Sequence, residues 1–167
     1  MRRSGVRSSS SPPKSPGQRG SVGLFFADRR GTEEALALYR RNFRYSARHA
    51  QPSATICVWA RAADTEAEAR RLLMTREHWR VGFEKGLRTP LLSPEAAAAH
   101  PYTEAERSII QRLRERAIVG TADQVASKLE ELAALFGLDE IVINTWTHDP
   151  VARRRSYELI AQAIPIG

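Results

Sequence analysis

Four times beyond residue 20 the chain repeats one phrase: a short apolar run, a polar break, then an amphipathic stretch that opens on helix-start residues. Alternating strand and helix segments of this kind pack as a parallel sheet covered by helices, so this rhythm constrains the fold more than anything else in the sequence. In the first phrase SVGLFFA (21–27) reads as a strand. Gly31 and Thr32 then open a helix, with two glutamates in its first turn and Leu36, Tyr39 and Phe43 on one face. ATICVWARA (54–62) is the second strand; Ile56, Val58 and Trp59 make it apolar on both sides, as a buried parallel strand requires. Thr65 and Glu68 follow at capping-box spacing, and Ala69, Leu72, Leu73 and Trp79 form the buried stripe of the next helix.

The third strand is AIVG (117–120). Thr121 and Gln124 make another capping box, Val125, Leu129, Leu132 and Phe136 recur at helical spacing, and Gly137 stands at C′. The fourth is DEIVINTW (139–146), after which Asp149 caps and Pro150 takes the first position of a helix with Tyr157, Ile160 and Ile164 on its apolar face. Residues 82 to about 116 interrupt the rhythm and read as an insertion: a loop, a start at Ser93-Pro94, and a charged helix opened by Thr103 and Glu106, its arginines and glutamates forming a solvated face.

Charge separates a tail from a body. Residues 1–20 hold five Lys/Arg, no acid, six Ser and three Pro, the composition of a disordered basic tail. Residues 21–167, one domain, keep 21 basic against 19 acidic side chains, so the body is nearly neutral. With no basic stripe interleaved with aromatics, it is not expected to bind nucleic acid. Cys57 is the single cysteine, which rules out an internal disulfide and fits a reducing cytoplasm. No apolar run approaches the ~20 residues that span a membrane, and the N-terminus lacks the apolar core of a secretory signal.

Motifs for metals, P-loops and nucleophile elbows are absent, and His49, His78 and His100 are isolated in sequence, so no metal is expected. His148 lies in the THDP turn as a solvated histidine or an acid/base group. Gly120-Thr121 stands at a helix N-terminus, where amides and dipole favour an anion, although a turn and a cap explain the same two residues. Trp146 ends the fourth strand, as packing or as a pocket wall. Arg153 to Arg155 crowd the first turn of the last helix, an electrostatically poor place for cations, and read as structural.

YRRNF (39–43), AADTEAEA (62–69), AIVGTADQVASKLEEL (117–132) and GLDEIVINTWTHDPVARRRSYELIAQA (137–163) together form a long ordered pattern. It resembles the C-terminal half of the luciferase-like flavin monooxygenases. The resemblance implies a partial (β/α)8 TIM barrel whose four βα units stand for strands 5 to 8. It implies reduced FMN and O2 acting on a small organic substrate, with a flavin reductase to supply the reduced flavin. Catalytic residues are not assigned; Gly120, Thr121 and Trp146 are the cofactor-binding candidates. A whole barrel takes ~250 residues, against 147 from Ser21 onward. A truncated gene, a frameshift and a mistaken start would each account for that. A half barrel is expected to expose its inner face and two strand edges, to act weakly or not at all, and to gain from forming a homodimer. The alternative is a non-catalytic α/β module that binds a partner through its open edges.

Overall fold

In a computed structural model the described residues are 22–24, 31–47 and 49–164. The basic tail and residues 25–27 of the first expected strand lie outside them. The elements run β1 (Val22–Leu24), α1 (Thr32–Asn42), β2 (Ala54–Ala62), α2 (Glu66–Glu84), α3 (Pro94–Ala98), α4 (Glu104–Glu115), β3 (Ile118–Gly120), α5 (Ala122–Phe136), β4 (Glu140–Asn144) and α6 (Pro150–Ala163). All strand pairs are parallel, and β2 is their hub. Its residues 54–56 pair with β1, 55–59 with β4 and 60–62 with β3. Because β1 and β4 both register on Thr55 and Ile56, they occupy opposite edges of β2.

The fold is therefore α/β with a parallel sheet, as the rhythm implies, but its strand order is not the consecutive one of a barrel segment. β3 is three residues long and pairs only with the end of β2. β4 pairs directly with residues 55–59 of β2, on the edge away from β3: the Ala54 and Ala60 carbonyls turn to the β4 side, while the Ala63 amide turns to Gly120.

Side chains alternate along β2. Ala54, Ile56, Val58, Ala60 and Ala62 face one way and join Leu36 of α1, Val125, Leu129, Leu132 and Phe136 of α5, and Leu159 and Ile160 of α6 in the main core. Cys57, Trp59 and Arg61 point the other way and are buried as well. The expected bare inner face is thus not found on β2; α2 closes over it, with Arg76 lying on the Trp59 ring. Exposure persists on β4, where Val142 is 43% accessible.

The caps follow the sequence with one exception. Thr103–Glu106 and Thr121–Gln124 form complete capping boxes, and Gly137 takes the left-handed C-cap conformation at φ 55°. At α2 only half of the box forms: Thr65 accepts from the Glu68 amide, while the Glu68 carboxylate turns to Arg71. An ion pair with a guanidinium competes successfully for that side chain.

The insertion is not a solvated appendage. α2 runs on through Glu84, and α3 and α4 pack against it. Arg114 of α4 reaches Glu77 of α2 through two hydrogen bonds of 2.6 and 2.8 Å, and Glu77 is 3% exposed. Beside this pair Glu106 takes hydrogen bonds from Lys85 Nζ and from the Thr103 amide, both at 2.8 Å. Lys85 first, then Thr103, holds the Glu106 carboxyl down to about 2, from an ordinary 4.5. A lowered carboxyl pKa stabilises the fold fully above the ordinary value, and that contribution disappears as pH falls through the lowered one. Between about pH 5 and about pH 2, Glu106→Gln should lose less melting temperature than the unaltered chain. Equal losses in the two proteins would contradict this.

Candidate functional site

The residue just after β4 positions the site. Thr145 is fully buried; its hydroxyl donates to the Ala60 carbonyl at 2.6 Å, and its amide donates to the Tyr157 hydroxyl at 3.0 Å. This double anchor fixes the backbone at the residue before Trp146. The Trp146 ring then stands edge-on to Trp79, with centroids 4.5 Å apart at 89°. Trp79 stacks on Phe83 at 5.1 Å and 22°. The Arg76 guanidinium lies 4.4 Å from the Trp59 ring centroid and 6.0 Å from that of Trp146. Residues 76, 79, 80 and 83 fall three or four apart, so a single stripe of α2 presents them.

These side chains wall a cavity of 750 Å³ between α2, α4, α5 and β2, within the usual size of small-molecule sites. Every tryptophan of the chain, Trp59, Trp79 and Trp146, lines it. Arg76, Arg80, Arg88, Arg112 and Arg116 line it too, with Glu84 as the single acid. Glu84 lies 2.9 Å from Arg80 and 3.9 Å from Arg112. Burial, and secondarily the charge of Arg80, pulls Arg76 down to about 10, which leaves it charged at neutral pH. Two buried donors at this wall, Arg76 Nε and Trp59 Nε1, have no hydrogen-bond partner among the described residues. A planar group carrying acceptor atoms would satisfy both.

Arg61 lies two residues beyond Trp59 on the same side of β2. It is 1% exposed, and none of its three guanidinium nitrogens has a hydrogen-bond partner among the described residues. Burial lowers it to about 10, partly offset by the charges of Glu68 and Asp149. A buried unsatisfied polar group costs about 1–3 kcal/mol. Arg61→Met should therefore raise the melting temperature by several degrees, on the scale of about 2–4 °C per kcal/mol for a chain this size. A fall of similar size in calorimetry would show that the guanidinium is stabilising.

Of the candidates from sequence, Trp146 lies in this wall and Gly120 and Thr121 do not. Thr121 Oγ1 accepts from the Gln124 amide, and the Gln124 side chain accepts from the Thr121 amide. A Cβ at Gly120 would come within 2.9 Å of the Gln124 Cβ, so the glycine makes room for the capping box. His78 and His100, far apart in sequence, meet with rings 4.8 Å apart, and Tyr102 Oη lies 3.3 Å from His78 Nδ1. Among the described residues no cluster of three metal-ligating side chains occurs. His148 is exposed. Arg155, which falls in the second turn of α6, is held by Asp64 at 2.5 Å. Arg76, Arg80 and Trp59 escaped sequence reading, although their signals were present: a helical stripe of alternating aromatics and arginines, and a tryptophan in a strand with two apolar faces.

No family model matches the chain. Over 140 residues it is 34% identical to the uncharacterized protein YceB of Bacillus subtilis (strain 168), covering 84% of this chain and 42% of that protein. Over 126 residues it is 30% identical to a luciferase-like monooxygenase of Escherichia coli (strain K12), covering 75% of this chain and 38% of that one. Among solved structures, apo-MsnO8 superposes with a TM-score of 0.72 at 24% identity over 93% of this chain and 52% of its own, a likeness of fold. The chain belongs to the luciferase-like monooxygenases, as a luciferase-like domain matched over part of its relatives' length. It spans about 40% of the length of the curated relatives it matches.

Proposed function

We propose that this domain serves a flavin-dependent monooxygenase reaction, in which reduced FMN and O2 oxidise a small organic substrate. The observation that carries this reading, beside the family, is the tryptophan-walled cavity with two orphaned donors. A flavin ring is planar and edged with acceptor atoms. Trp146 would lie against it, and Arg76 Nε and Trp59 Nε1 would donate to its edge. The flavin supplies the redox chemistry with oxygen. The chain's own residues orient the ring, exclude water through the aromatic wall, and keep a positive charge beside it.

In the same reading the four βα units correspond to the C-terminal half of a (β/α)8 barrel. The departure from barrel order is the direct pairing of β4 with β2. A flavin reductase would supply the reduced cofactor, and a homodimer would restore the strand number. A cytoplasmic location accords with this chemistry; no helix among the described residues is long and apolar enough to cross a membrane. Because the chain covers about 40% of its relatives' length, turnover by this chain alone is expected to be weak or absent, so binding is the sharper test. FMN should quench the tryptophan emission saturably, and Trp146→Ala should weaken FMN binding about tenfold, the loss of one aromatic contact. Quenching that never saturates, or that Trp146→Ala leaves unchanged, would remove the reading.

A further inference from the structure

The charge lining the cavity is lopsided. Five arginines face one glutamate, and both orphaned polar atoms at its wall are donors. Glu84 is the single acceptor side chain in the lining, so the side chains favour an occupant that brings acceptors and negative charge. The helix ends at the cavity leave the recognition of an anion to side chains. Backbone amides at helix N-termini are the usual holders of phosphate. Here α2, α4 and α5 all turn their C-terminal halves to the cavity: α2 contributes residues 76 to 84, α4 109 to 113 and α5 132 and 136. Those ends carry the negative end of the helix dipole. What remains for recognition is guanidinium, whose planar fork pairs with a carboxylate or a phosphate, and the flavin pair in the test below separates the two.

We propose that the cavity selects an acidic substrate: a small organic carboxylate whose apolar or aromatic body lies on the Trp79–Phe83 stack and whose oxyanion is held by Arg88 and Arg112. This rests on the monooxygenase reading, and names the substrate class for the same site. Arg88 comes from the segment after α2 and stacks 5.6 Å from the Phe83 ring centroid. Arg112 comes from the last turn of α4 and is tethered only loosely, 3.9 Å from Glu84. Both side chains are exposed and free to turn toward a ligand.

The test is calorimetric titration of the full chain, read alongside tryptophan emission, which reports on this cavity because every tryptophan lines it. Phenylacetate and its neutral isostere phenylacetamide are the first two probes. Phenylacetate should bind at least about tenfold more tightly, the weight of one charge-assisted hydrogen bond. The Arg88→Ala/Arg112→Ala double variant should abolish that preference and leave phenylacetamide unaffected. FMN and riboflavin are the second pair, and the double variant should bind both as the unaltered chain does. Equal binding of acid and amide, no phenylacetate binding at millimolar concentration, or a double variant that keeps the preference would each overturn the proposal. A double variant that loses FMN but keeps riboflavin would also overturn it, because the two arginines would then hold the cofactor's phosphate. Phenylacetate binding by a chain with no flavin affinity would refute the monooxygenase reading and leave the acid site standing.

Discussion

Leu129→Ala is expected to lower the unfolding free energy by about 2–5 kcal/mol, the cost of emptying a well-packed core position. Leu129 is 3% exposed and stands midway along the buried stripe of α5, which packs on Ile56, Val58 and Ala60. That contact holds α5 to β2 across the sheet, so the cavity wall depends on it as well. Total stability of a domain is about 5–15 kcal/mol, and the substitution therefore removes a large share of it. Denaturant melts of the two proteins measure the difference. A loss below about 1 kcal/mol would mean that the α5 face is not the centre of the core.

Arg114→Ala is expected to cost about 3 kcal/mol although Arg114 is half exposed, because the damage falls on its partner. Glu77 is buried, and in the structure both of its carboxylate oxygens are satisfied by Arg114. Without the guanidinium a charge would be left in the interface between α2 and α4. Adding Glu77→Gln to Arg114→Ala should recover much of the loss, since a neutral amide is far cheaper to bury. If the double variant is as unstable as the single one, the guanidinium acts through packing and not through charge.

The fold was legible wherever a local signal and a long-range contact agreed. Val125, Leu129, Leu132 and Phe136 were readable as one stripe because α5 buries all four against one surface. Asp149 and Pro150, Thr103 and Glu106, and Gly137 marked helix ends because capping is settled within a few residues. The strand order was not legible. It depends on β4 pairing directly with β2, a contact between segments 85 residues apart. The charged face of α4 is largely exposed, as read, but the partner of Arg114 was not legible: it resembles any solvated arginine until Glu77, 37 residues earlier, is placed beneath it.

The site was half legible. Trp146 could be placed at a strand end from sequence, and it does line the cavity. Gly120 and Thr121 showed the residue types of an anion site, but the Gln124 side chain uses the same atoms for capping. The arginines on α2 and α4 gave no sequence signal of convergence, because α2, the α4 helix of the apparent insertion and one strand had to fold before they shared a space.

A thermal melt of the chain with and without excess FMN tests the account most directly. At FMN about a hundredfold above its dissociation constant, binding to the folded state adds about 2.7 kcal/mol. For a chain of this size that is a rise of about 5–10 °C in a cooperative transition. An upward shift of that order, reduced in Trp146→Ala, is the result the account predicts. A melt that FMN does not move, in a chain that still unfolds cooperatively, would contradict it and leave the luciferase-like fold without a flavin site.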